Sequence, residues 1–137
     1  MVPRATSTPI DPATEAGKMA DLFNDLSQAL DDYRLADHVP PLSTDQLACL
    51  KDEAQALEDR AYYFTAEAIG TTLQSIQSDL DNIEAVTAKA KTQVGLLDDV
   101  SKIISIATSA LNLGTAIAAG NPASILAALN GLAETLT

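Results

Sequence analysis

Residues 103–133 read IISIATSALNLGTAIAAGNPASILAALNGLA, a run of 31 positions without one charged side chain, closed off by Lys102 and Glu134. Gly120-Asn121-Pro122 stands near its middle. Glycine suits the left-handed residue that follows a helix. Asparagine suits the N-cap of the next helix, and proline suits its first turn while pushing the residue before it toward the extended backbone an N-cap adopts. Three residues in those places predict a tight turn between two apolar helices, about 96–119 and 122–136. The sequence therefore predicts a C-terminal apolar helical hairpin.

The same reading extends outward. Proline occurs at positions 3, 9, 12, 40, 41 and 122, so the chain has none between residues 42 and 121. That interval is rich in Ala, Leu, Asp and Gln, which favours helix, and it lacks the alternating Val/Ile runs of strands. Asp11-Pro12 is an N-cap and first-turn pair that opens a helix to about residue 36. Met19, Leu22, Phe23, Leu26, Leu30 and Tyr33 recur on one face of it, with Asp21, Asp25, Asp31 and Asp32 opposite. Ser43-Thr44-Asp45-Gln46 is a capping box that starts the next helix after the Pro40-Pro41 connector.

Leu47, Leu50, Ala54, Leu57, Ala61 and Phe64 form a heptad-like stripe. Ile69, Leu73, Ile76, Leu80, Ile83, Thr87, Ala90, Val94 and Leu97 form a second, one residue out of phase. The phase change between Ala61 and Ile69 marks either a kink or a break at Gly70, where Thr71-x-x-Gln74 offers a fresh cap. Gly95 reads as tolerated in or near a helix end. The fold expected is all-α: an antiparallel helical bundle of four to five helices, with long heptad-patterned helices. Residues 1–10 are expected to be a flexible arm. Residues 11–137 are expected to form a single domain with helices about 12–36, 44–69, 71–93, 96–119 and 122–136.

Within the apolar run, Ser101, Ser105, Thr108, Asn112 and Thr115 leave a narrow neutral polar strip on a helix that is otherwise apolar. Helices facing bulk water usually carry charge on that side. Small neutral polar residues suit close helix contact, a buried hydrogen-bonded seam or a water-filled lumen. Ala110, Gly114 and Ala118 add small side chains at four-residue steps. Ser105, Thr108, Asn112, Gly114, Thr115, Ile117, Gly120 and Pro122 are thus candidate residues of an assembly or membrane hairpin. The layout of long amphipathic helices with an uncharged helical hairpin is similar to that of helical pore-forming toxin subunits, although here the hairpin is terminal. A resident span needs about 20 mostly apolar residues. Ile103–Ala119 is shorter and interrupted by Asn112, so membrane contact is expected only as a conditional event.

Composition narrows the chemistry. Of 137 residues, 19 are Asp or Glu and 8 are Lys or Arg, a net charge of −11. Such a surface repels phosphate backbones, so no nucleic-acid partner is expected. One Cys and one His exclude an internal disulfide and multi-histidine metal centres. Neither metal nor cofactor is expected. The acidic clusters Asp31/Asp32, Asp52/Glu53, Glu58/Asp59, Asp79/Asp81/Glu84 and Asp98/Asp99 fall mostly off the apolar stripes and read as solvated faces rather than acid–base pairs. Cys49 reads as a small apolar filler and His38 as a connector residue. No secretory leader pattern occurs at the start, so the expectation is a cytoplasmic location or export without a classical signal peptide.

Tyr62-Tyr63-Phe64 holds three of the five aromatic residues. Three consecutive helical positions span about 200° and cannot all face one partner. The run is either an aromatic core beneath the first helix or a contact surface. These observations predict a non-enzymatic helical protein acting by protein–protein interaction or self-assembly, through Tyr62, Tyr63, Phe64 and the hairpin. Its partner is another copy or a protein with a basic patch. Two alternatives follow: a membrane-active helical protein whose hairpin is exposed on assembly, and a carrier of an apolar ligand in the bundle core.

Overall fold

The structure, a computed structural model, describes residues 11–97 and 99–137. Its described residues contain six α-helices and no strand: α1 (Pro12–Leu35), α2 (Thr44–Tyr63), α3 (Ala66–Ser75), α4 (Leu80–Leu96), α5 (Val100–Ala119) and α6 (Pro122–Thr135). A 3-10 turn, Gln77–Asp79, leads into α4. The arm expected over residues 1–10 lies outside the described residues, as does Asp98.

Helix starts follow local chemistry. Asp11 accepts from the Ala13 amide with Pro12 in the first turn of α1. Ser43 and Gln46 form the reciprocal capping box of α2, at 2.9 and 3.1 Å. Asp99 accepts from the amides of Ser101 and Lys102 at the start of α5. The α5–α6 turn takes the form its residues predict. Gly120 is left-handed (φ 80°), Asn121 is extended and accepts from the amides of Ala123 and Ser124, and Pro122 opens α6.

The middle of the chain differs from the sequence expectation of a kink or one break at Gly70, and the helix count rises to six. The chain leaves helix at Phe64 (φ −79°, ψ 83°), and Thr65 caps α3 by accepting from the Ala68 amide at 3.2 Å. It breaks again at Ile76. Gly70 sits inside α3, where a Cβ would stand 3.2 Å from the Pro12 ring. The physical reason lies in side chains on either side of the phase change. The Phe64 ring is buried edge-on to Phe23 with centroids 5.1 Å apart, and Ile76 is buried as well. Ending α2 at Tyr63 lets both stripes reach the interior without a continuous helix having to rotate between them. A second boundary also shifts: the chain is non-helical at Leu97, so α5 begins at Val100 instead of 96.

Buried side chains from all six helices form one hydrophobic cluster, with Phe23, Met19, Leu57, Ile69, Ile83, Ile103 and Leu113 fully enclosed. α1 packs on α2, α3 and α4, while α5 packs on α2 and α6. Among the described residues, the polar residues that lie wholly within the core, Ser27 and Thr87, are satisfied by carbonyls. Ser27 donates to Ala54 across α1 and α2 at 2.6 Å, and Thr87 donates to Ile83 one turn back at 2.8 Å.

Candidate functional site

The three aromatics at the end of α2 are divided by the helix. Phe64 is buried against Phe23, whereas Tyr62 is 81% exposed and Tyr63 46%. Tyr62 stands at the rim of a groove of about 460 Å³ between α1 and α2, lined by Asp21, Asn24 and Gln28 from one helix and Glu58 and Ala61 from the other. Asp21 and Glu58 belong to segments read from sequence as solvated acidic faces. Nothing in the linear spacing indicates that helix packing sets them around one tyrosine.

The candidate hairpin residues separate into two sets. Ser105, Thr108, Asn112 and Thr115 face solvent on α5. Gly114 and Ile117 face inward and are buried, which removes them from any contact surface of the folded chain. Gly120 and Pro122 make the turn. The neutral strip is therefore not a hydrogen-bonded seam within the chain. Thr108 donates to Glu53 of α2 at 3.1 Å, and α6 adds the exposed uncharged positions Ala123, Ser124, Leu126, Ala127 and Asn130. The close approach permitted by Gly114 is made by a ring: a Cβ there would lie 2.7 Å from Phe23 Cε2. Ser109 and Thr135 share a hydrogen bond of 3.0 Å that ties α5 to α6, and Gln93 of α4 donates to the Leu136 carbonyl at 2.7 Å.

α5 is the helix among the described residues that is long and apolar enough to cross a membrane by length and composition, with a mean hydropathy of 1.3. Among the described residues, no three of His, Cys, Asp and Glu gather as a potential metal-holding group. Cys49 is half-buried, and burial pushes its thiol above the ordinary value, with Glu53 and Asp52 adding to the rise. His38 rests its ring on Tyr33, centroids 4.4 Å apart, and its Nε2 donates to the Tyr33 carbonyl at 2.6 Å.

Two carboxyl groups are partly withdrawn from water. Glu53 Oε2 and Glu84 Oε2 are buried without a hydrogen-bond partner. Burial raises both pKa values, and the neighbouring Glu15 carboxylate adds to the rise at Glu84, where Lys18 opposes it. A raised carboxyl pKa means that the folded state holds protons the unfolded chain has already released. Stability then falls as pH rises through the folded values and recovers on acidification toward the ordinary value of 4.5. Thermal unfolding followed by circular dichroism is expected to give a higher Tm near pH 5 than at pH 7. Glu84→Gln is expected to raise the neutral-pH Tm and to flatten that dependence. A Tm that drops steadily from pH 7 to 5 contradicts this assignment.

Comparison with known proteins finds no matching family model, no matching curated protein and no matching solved structure.

Proposed function

We propose that this chain is a non-enzymatic helical protein that acts by protein–protein contact, and that copies of it associate through the outward face of α5 and α6. The observation that carries the proposal is a difference between surfaces. The net charge is −11, yet Ser105, Asn112, Thr115, Ala123, Leu126, Ala127 and Asn130 present uncharged side chains to solvent, with the half-buried Glu53 that accepts from Thr108 at the edge. Two copies meeting through any acid-bearing face bring like charges together, and burying those charges adds a desolvation cost of several kcal/mol per ion. Meeting through the neutral face avoids both. Its alanine and serine side chains also lose little rotamer freedom when covered and let helices approach closely.

The framework we propose is a bundle in which α1 and α2 run in opposite directions, a relation supported by the pairs Ser27–Ala54 and Phe23–Phe64. The heptad-like stripes of the sequence supply its interior.

Light scattering over a concentration series tests the proposal. The wild type is expected to associate, and association is expected to persist in high salt because the contact is uncharged. The double variant Asn112→Lys with Ala127→Lys is expected to be monomeric, although it lowers the magnitude of the net negative charge. A wild type that stays monomeric at every concentration, or a double variant that associates equally well, refutes the self-association face.

The second reading, membrane action, rests on the length and apolar character of α5. Vesicle flotation at neutral and acidic pH separates the two. The protein–protein reading predicts that the chain stays with the aqueous fraction, and flotation together with dye release favours membrane action.

A further inference from the structure

We infer that the groove between α1 and α2 is a receptor for an arginine-bearing segment of a protein partner, with the guanidinium stacked on Tyr62 between the carboxylates of Asp21 and Glu58. The inference stands on a different face from the association surface and does not depend on it. Three observations converge. Tyr62 is 81% exposed although it neighbours a core aromatic, so its ring is available on the groove rim. Asp21 and Glu58 approach from opposite helices and line the same depression, along with the amide side chains of Asn24 and Gln28. Among the described residues, neither carboxylate is engaged in an ion pair or hydrogen bond, whereas Glu15, Asp25 and Asp31 each hold a lysine or arginine of this chain.

The chemistry selects the occupant. A tyrosine face attracts a cation. Carboxylates on two sides accept the several N–H donors of a planar guanidinium, which an ammonium offers less well. The buried Ala61 also lines the groove, and its volume of about 460 Å³ has room for a flat head group and its methylene stem. A net charge of −11 steers a basic segment toward the protein but does not by itself choose where it lands. The groove supplies that choice.

The test is fluorescence anisotropy of a labelled tetra-arginine peptide, with a tetra-lysine peptide in parallel, at low ionic strength. Tyr62→Ala is expected to weaken tetra-arginine binding about fivefold, and Tyr62→Phe to keep most of it. Asp21→Asn with Glu58→Gln is expected to weaken binding about tenfold. Asp52→Asn with Glu67→Gln removes the same charge from exposed positions outside the groove and is expected to change binding less than twofold. Tetra-lysine is expected to bind more weakly and to be insensitive to Tyr62→Ala. Equal losses from the two double variants, no response to Tyr62→Ala, or no binding by the wild type would each overturn the inference. All five substituted positions are at the surface or half-buried, so circular dichroism is expected to match the wild type.

Discussion

Ile117→Asp is expected to abolish folding, while Thr115→Asp, two residues earlier on the same helix, is expected to change the stability of the dilute monomer by less than about 1 kcal/mol. Ile117 has no exposed surface and lies in the cluster that α5 shares with the other helices, whereas Thr115 faces solvent. Removing the isoleucine forfeits about 1.5–3 kcal/mol of burial. The carboxylate that replaces it must also be desolvated, at a cost of several kcal/mol. An aspartate is too short to carry its charge to water along an apolar stem, as a lysine would. The substitution lies near the α5 C-terminus as well, where the helix dipole opposes a negative charge. The total reaches the whole stability of an ordinary domain, about 5–15 kcal/mol. Far-ultraviolet circular dichroism and urea titration of the two variants check the contrast. A folded Ile117→Asp protein would mean that α5 does not bury this face.

The second large effect concerns the contact of α1 with α5. Phe23→Ala is expected to cost about 3–5 kcal/mol, because Phe23 is fully buried and makes the edge-on contact with Phe64. Gly114→Ala alone is expected to destabilise, since its new Cβ would fall 2.7 Å from Phe23 Cε2 and the ring is held by Phe64 behind it. In the Phe23→Ala background the same glycine substitution is expected to reverse sign. The obstruction is gone, the added methyl partly fills the space, and alanine is better than glycine inside a helix by about 1 kcal/mol. Urea unfolding of the four proteins in the cycle measures this. A coupling near zero would show that the two residues do not meet.

Much of the fold is written locally in the chain. The turn at Gly120-Asn121-Pro122, the capping box at Ser43 and the pair Asp11-Pro12 each place a chain reversal or helix start by backbone chemistry confined to a few residues, so they are legible without tertiary information. The break at Phe64 is not. Thr65 is a competent cap, but it becomes one because Phe64 gains more by joining Phe23 in the core than by continuing α2, and that gain depends on α1 lying underneath. The shift of register between the two apolar stripes was the visible trace, and it located the disturbance to within a few residues without distinguishing Gly70 from Thr65.

The candidate surfaces show the same division. The absence of charge across residues 103–133 is a sequence property, but which of those residues face outward depends on helix packing. That packing turns Gly114 and Ile117 inward and leaves Asn112 and Thr115 exposed. The acidic groove was legible only in part. Tyr62 could be singled out as one of three aromatics that cannot share a direction, while the joining of Asp21 to Glu58 requires two helices to pack side by side.

The most direct test of self-association through the neutral face is the distance between spin labels on neighbouring copies. A label is placed at Thr115→Cys or, as a control, at Asp52→Cys, each in a Cys49→Ala background and measured by pulsed dipolar spectroscopy. A two-fold dimer brings the same patch of both copies together. Association through the neutral face therefore gives strong coupling between labels at position 115 and weak coupling between labels at position 52. Absence of coupling at 115 at concentrations where the protein is associated, or stronger coupling at 52, would contradict it.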